Sequence, residues 1–117
     1  MVDRKADRII TSGEKVYPTE VEEVLTRHPD VAFVAVVGLP DERRGQAVTA
    51  FVQLRPESGR PPEEVEAELR QLCQENLADY KRPRTYRFVS ELPLGPTGKV
   101  LRRAVAAQAS AQPAGGR

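Results

Sequence analysis

Tryptophan is absent from this 117-residue chain, and cysteine, histidine and methionine occur once each. A single cysteine, Cys73, forms no internal disulfide and offers no thiolate framework for zinc. One histidine, His28, is a poor start for a histidine-centred centre, so no metal site is expected. Aromatic residues make up 5% of the chain and do not interleave with the basic ones, and there is no recognition-helix signature; nucleic acid is not an expected partner. No apolar run approaches the roughly 20 residues needed to cross a bilayer, so no membrane span is expected. Residues 1–5 hold no apolar signal core, which makes a cytoplasmic setting the expectation. The length suits one compact domain and leaves little room for a second core.

Lysine is scarce too: only Lys5, Lys15, Lys81 and Lys99 stand among the 18 basic residues. The formal net charge of +1 hides an uneven distribution. Residues 1–78 carry 10 Lys or Arg against 15 Asp or Glu, whereas residues 79–103 carry Lys81, Arg82, Arg84, Arg87, Lys99, Arg102 and Arg103 against Asp79 and Glu91. A basic C-terminal third behind an acidic front suits a surface that meets an anion such as phosphate.

The apolar pattern predicts a hairpin first. Arg8-Ile9-Ile10 and Lys15-Val16-Tyr17 flank Thr11-Ser12-Gly13-Glu14, where Gly13 supplies the φ freedom of the bend. A helix follows, with Pro18 at its first position, Glu20, Glu22 and Glu23 near its positive end, and Val21, Val24 and Leu25 in one stripe; His28 and Pro29 end it. Residues 31–37 read as a buried strand, Gly38-Leu39-Pro40-Asp41-Glu42 as a break, and residues 47–54 as a second strand paired antiparallel with the first. Val65, Leu69, Leu72, Cys73 and Leu77 lie on one helix face, Tyr86, Phe88 and Val89 mark a third strand, and Val100, Leu101, Ala104 and Val105 start a last helix. The order predicts an α+β fold, a small antiparallel sheet flanked by helices and preceded by a short N-terminal hairpin. Residues 1–109 are assigned to the domain and residues 110–117 to a disordered tail.

Gly95-Pro96-Thr97-Gly98-Lys99-Val100 invites comparison with the phosphate-binding pattern Gly-x-x-x-x-Gly-Lys followed by Ser or Thr. The comparison fails, because Pro93 sits at the first glycine position, Val100 replaces the magnesium-binding hydroxyl and Pro96 removes a backbone donor. What survives is a lysine on a loop stiffened by proline and glycine, a compact cation suited to negative charge developing on an oxygen. On the loop alone, an ordinary exposed lysine at a helix start fits as well. Arg82 and Arg84 flank Pro83 in a stiff basic pair that suits phosphate, or that balances the acidic helix upstream.

These motifs occur in a definite order. Asp3-Arg4-Lys5-Ala6-Asp7-Arg8-Ile9-Ile10, Ser12-Gly13-Glu14-Lys15-Val16-Tyr17-Pro18 and Glu20-Val21-Glu22 come first, then His28-Pro29-Asp30-Val31 and Val36-Val37-Gly38-Leu39-Pro40-Asp41-Glu42-Arg43. Tyr80-Lys81-Arg82-Pro83, Glu91-Leu92-Pro93 and Pro96-Thr97-Gly98-Lys99-Val100-Leu101-Arg102-Arg103 follow. Over residues 3–106 the chain resembles the C-terminal domain of AMP-forming acyl- and aryl-CoA synthetases, members of the adenylate-forming superfamily. The resemblance implies a mobile lid that works with a much larger N-terminal domain, in cis or in trans, which binds ATP, magnesium and the carboxylate. It implies rotation between two poses about a hinge near residues 4–7, at Arg4, Ala6 and Asp7. In the first pose Lys99, on the loop of Thr97 and Gly98, reaches the reacting carboxylate and the α-phosphate as acyl adenylate and pyrophosphate form. In the second, Ser12, Gly13 and Glu14 line the pantetheine tunnel, and Arg82 and Arg84 meet the nucleotide phosphates of CoA as the thioester forms. ATP with magnesium, and CoA or a carrier-protein pantetheine, are then substrates of the complete ligase; none is tightly bound to this domain, which is expected to be inactive alone.

The chain also departs from that pattern. Ala6 stands where the hinge is usually Asp or Lys, Ser12 replaces the first glycine of Gly-Gly-Glu, and Arg44 replaces the tryptophan of Arg-Trp-Gly. These changes leave adenylation intact on paper and bear on the CoA step, so a stand-alone interaction or regulatory module with the same fold and no turnover is the alternative. Elsewhere Cys73 is expected to be a buried thiol and His28 a helix cap, and Glu63, Glu64, Glu66, Glu68 and Glu75 are expected to form a solvated face.

Overall fold

β-branched runs form strands where both of their faces can be covered, and two such runs make the centre of this fold. The computed structural model describes residues 8–111. β1 (Ile9–Thr11) and β2 (Glu14–Val16) form an antiparallel hairpin, α1 (Pro18–Leu25) follows, and β3 (Val31–Asp41) and β4 (Gly45–Leu54) make a long antiparallel pair. Then come α2 (Pro62–Asn76), a single 3-10 turn (Asp79–Lys81), β5 (Thr85–Val89) and α3 (Arg102–Ala111). All five strands join one sheet around β4. β3 runs along one margin of β4, and β5 and the end of β1 lie along the other, with β2 beyond β1.

The α+β class, the flanking helices and the N-terminal hairpin agree with the sequence-based expectation. One strand pairing has its own direction: β5 runs parallel to β4, from Thr85 beside Thr49 to Val89 beside Gln53. α2 is the reason, because neighbouring strands joined by a helical crossover return in the same sense. The expected break at residues 38–42 does not occur either, since β3 continues to Asp41 with Pro40 opposite Gln46. β3 is an edge strand whose Val36 N–H points away from β4 and donates to Glu22 Oε2 at 2.8 Å. Alternation along the strand turns the Pro40 nitrogen to the same outer side, where no ladder bond is lost. Gly38 is kept for a close approach: a methyl group there would meet Ile9 Cγ2 at 2.8 Å and the Gln46 side chain at 3.0 Å.

α1 and α2 cover one face of the sheet, packing Val21, Val24, Leu25, Val65, Leu69 and Cys73 against Val34, Val36, Val48, Ala50 and Val52. α3 covers the other, where Val105 and Leu92 meet Ala35, Val37 and Phe51. Fully burying side chains such as Leu25 and Leu69 stabilises by about 1.5–3 kcal/mol each. The expected buried thiol is found: Tyr86 O–H donates to Cys73 Sγ at 3.4 Å, and burial pushes both the thiol and the phenol above their ordinary pKa values.

His28 does not cap α1, which ends at Leu25. It is buried, and its Nδ1 accepts the Asp30 N–H at 3.0 Å, so that Nε2 carries the proton and donates to Glu68 Oε1 at 2.6 Å. Glu68 stays on the exposed face of α2 but is tied into a network there. Arg60 bonds both of its oxygens, at 3.0 and 2.6 Å, and also reaches Asp30 at 3.0 Å. These partners, Arg60 first and then His28, hold the Glu68 carboxyl at about 2. The proposed hinge residues Arg4, Ala6 and Asp7, and residues 112–117 of the expected tail, lie outside the described residues. Among the described residues no helix is long and apolar enough to cross a membrane.

Candidate functional site

Proline and glycine shape the loop that carries Lys99. Leu94 bridges antiparallel to Val100, Gly95 N–H donates to Lys99 O at 2.8 Å, and Gly98 N–H donates to Gly95 O at 2.9 Å. The result is a tight turn with Pro96 in its second position and Gly98 in its fourth, where φ of +83° favours glycine. Leu101 N–H closes the unit onto Pro93 O at 3.0 Å. α3 starts only at Arg102, so Lys99 sits on this small hairpin rather than at the helix start. Thr97, Gly98 and Lys99 are all exposed. Lys99 makes no ion pair among the described residues, whereas Glu20 binds Lys81 at 2.9 Å and raises its ammonium above the ordinary pKa.

Lys99 stands at a groove of about 610 Å³ that runs between its loop, Tyr17 to Thr19 at the start of α1, and Phe33 and Val34 on the outer edge of β3. Leu94, Leu101 and Tyr17, three of the few large apolar side chains left exposed, lie around the lysine. Two anchors fix the loop to the domain. At its entry Leu92 N–H donates to Gln53 Oε1 at 2.8 Å; at its exit Arg102 bonds both carboxylate oxygens of Glu22 at 2.7 Å. Sequence reasoning missed Gln53, Glu22 and Arg102 as supports, counting Glu22 only as a complement to the helix dipole.

The second group of expected site residues gathers on the other margin of β4. Ser12 and Gly13 turn the β1–β2 hairpin with φ of +53° and +82°, and Ser12 N–H donates to Arg44 O at 2.9 Å. The tip of the β3–β4 hairpin is thereby held against Ser12-Gly13-Glu14. Asp41 rigidifies that tip by accepting the amides of Arg44 and Arg43 at 2.9 Å each, bonds that hold its carboxyl below the usual range. Arg84 lies nearby, exposed, its N–H on Val48 O at 2.8 Å and its guanidinium 3.7 Å from Asp79. Arg82 is placed differently: its Nε and Nη2 donate to the carbonyls of Leu77 and Gln74 at the end of α2, at 3.0 and 3.1 Å. Arg82 thus uses two of its donors to close a helix end, and Arg84 presents its guanidinium to solvent.

Residues 20–99 match the profile of the AMP-binding enzyme C-terminal domain. The chain belongs to that family. Among curated relatives, this AMP-binding enzyme C-terminal domain is 48% identical over 103 residues to the 2-succinylbenzoate–CoA ligase of Geobacillus kaustophilus, covering 88% of this chain and 20% of the relative. Among solved structures it is similar to a Mycobacterium tuberculosis fatty acyl CoA synthetase, with 39% identity, a TM-score of 0.81, and coverage of 93% of this chain and 21% of that one. It is also similar to the o-succinylbenzoate CoA synthetase of Bacillus subtilis in complex with its acyl-adenylate intermediate, at 37% identity and a TM-score of 0.75, over 88% of this chain and 20% of that one. The chain spans about a fifth of the length of these relatives.

Proposed function

We propose that this domain is the mobile C-terminal part of an ATP-dependent, AMP-forming acyl- or aryl-CoA ligase, and that its two sheet margins serve two successive half-reactions. In the first, a carboxylate oxygen of the substrate attacks the α-phosphorus of ATP, the bond to the β-phosphate breaks, and pyrophosphate leaves. Lys99 brings an ammonium to the charge that develops on the carboxylate and α-phosphate oxygens, an effect that depends on placement in a closed site. In the second, the thiol of CoA or of a carrier-protein pantetheine attacks the acyl carbon, the bond to AMP breaks, and the thiol proton passes to solvent. Ser12, Gly13 and Glu14 line the path of the thiol arm, and Arg84 faces the nucleotide phosphates. Rotation about Arg4, Ala6 and Asp7 exchanges one margin for the other.

The observation that carries this reading is the placement of Lys99, exposed and without an ion pair among the described residues, on a hairpin that bonds to itself beside an open groove. Membership in the family and the CoA ligases among its relatives support the same reading. No cluster of three or more His, Cys, Asp or Glu side chains fit for a metal ion occurs among the described residues; in this reading magnesium enters with ATP in the larger domain. That larger domain, in cis or in trans, also holds the ATP and carboxylate pockets, and the domain alone is expected to be inactive.

The test is a chimaera in which this domain replaces the corresponding segment of the Geobacillus 2-succinylbenzoate–CoA ligase. Lys99→Ala is expected to lower carboxylate-dependent pyrophosphate exchange by about 10²–10³-fold, as the loss of one preorganised charge-stabilising donor does. Unchanged exchange overturns the assignment.

A further inference from the structure

We infer that Glu22 and Arg102 are positioning residues that set the placement of Lys99 for adenylation, by strapping its loop across the outer edge of β3. The inference rests on the reading of Lys99 given above.

The hydrogen bonds that shape residues 93–101 are internal to that stretch: Leu94 bridges Val100, Gly95 meets Lys99 and Gly98, and Leu101 meets Pro93. Such a unit keeps its own shape, and its placement on the domain is set by Val100, which packs against the core under α3, and by its two ends. The entry end is held by buried Leu92, whose N–H is bonded to Gln53. At the exit end Val105 N–H bonds Leu101 O at 3.1 Å, and Arg102, three residues beyond Lys99, faces the same groove. Its Nε and Nη2 form a two-pronged contact with Glu22, each prong 2.7 Å long. A planar guanidinium bonded in this way fixes direction as well as distance, which a lone ammonium cannot do.

The carboxylate is itself oriented. Glu22 Oε2 also accepts the outward Val36 N–H at 2.8 Å, so the sheet backbone, Glu22, Arg102 and the lysine loop form one connected chain of contacts. Both side chains are mostly covered, at 16% exposure for Glu22 and 25% for Arg102, which limits screening of the pair by solvent. The strap passes from α1 on one face of the sheet to α3 on the other. It therefore governs how far the Lys99 hairpin leans from β3 without touching any reactant.

In the same chimaera, Arg102→Met is expected to lower kcat for pyrophosphate exchange by about 10–100-fold, the scale of a displacement near 1 Å at a reacting group. KM for ATP and for the carboxylate should stay constant, because their pockets lie in the other domain. Arg102→Lys should recover part of the loss. Thioester formation from supplied acyl adenylate and CoA should proceed at the parental rate, showing that the fold is intact. Should Arg102→Met fail to fold, Glu22→Gln serves in its place, since it can still accept the Val36 N–H while breaking the two-pronged contact. Equal loss in both half-reactions, or unchanged exchange, overturns the inference. Lys99→Ala separates the two levels. If it abolishes exchange while the strap variants do not, only the strap falls; if it leaves exchange intact, the reading of Lys99 falls and takes the strap with it.

Discussion

Replacing Arg82 with methionine is expected to destabilise the domain, and the same change at Arg84 is not. The last carbonyls of a helix have no intrahelical donor, and Arg82 supplies two, to Gln74 and Leu77 at the end of α2. Hydrogen bonds from a charged donor contribute about 1.5–3 kcal/mol when well buried, and a cation at a helix C-terminus adds about 0.3–1 kcal/mol. The Arg82 side chain is 33% exposed, and its contact with Asp79 is long at 3.6 Å, so solvent weakens all of these. A net cost of about 1–2 kcal/mol follows, or roughly 4–8 °C in melting temperature for a domain of this size. Among the described residues Arg84 has only Asp79 at 3.7 Å as a charged partner, an exposed pair worth under about 0.5 kcal/mol. Urea unfolding of the chain followed by circular dichroism measures both variants; methionine keeps most of the aliphatic volume and removes only the charged donors. Equal midpoints for the two variants would refute the helix-end role. Arg84→Glu in the chimaera should then raise KM for CoA, which divides into two parts a pair that the sequence presents as one.

Acidification provides another check. Glu68 is held at about 2 in the fold, against about 4.3 for an ordinary glutamate, so the unfolded chain takes up the proton first as pH falls. Its stabilisation is complete above about pH 5 and disappears between there and about pH 2. Across that window the urea midpoint of the parent should fall more steeply than that of Glu68→Gln; parallel profiles would contradict the network. Cys73 is buried and its thiol pushed up by that burial, so a thiol reagent such as a disulfide chromophore should label it only in denaturant. Fast labelling of the folded chain would show that the α2 face opens.

Periodicity made much of the fold readable. The β-branched run at residues 31–37, the apolar run at residues 47–54 and the stripe from Val65 to Leu77 each depend on which side chains a local element can bury, and each lies in an element of the expected kind. What escaped was set by neighbours distant in sequence. Gly38 and Pro40 look like turn residues locally, yet Gly38 makes room for Ile9 and Pro40 faces the outside of an edge strand. The parallel direction of β5 was implicit in the helix placed before it. For the candidate site, the lysine loop and the two hairpin tips were readable as motifs, whereas the partners that fix them were not. Glu22 and Arg102 are 80 residues apart, and His28 and Glu68 are 40 apart, so no local spacing relates them. Arg82 and Arg84 look equivalent in the chain because only the end of α2 distinguishes them.

The outer edge of β3 has a consequence for the domain when it stands free in solution. An eleven-residue strand with an open edge is long enough to recruit a strand from another molecule. Here Val36 N–H is already occupied by a carboxylate, and Pro40, on the same outer side, has no N–H to offer. A visiting strand would lose two donors and meet a carboxylate already paired with Arg102. That margin is therefore a poor template for fibrous association.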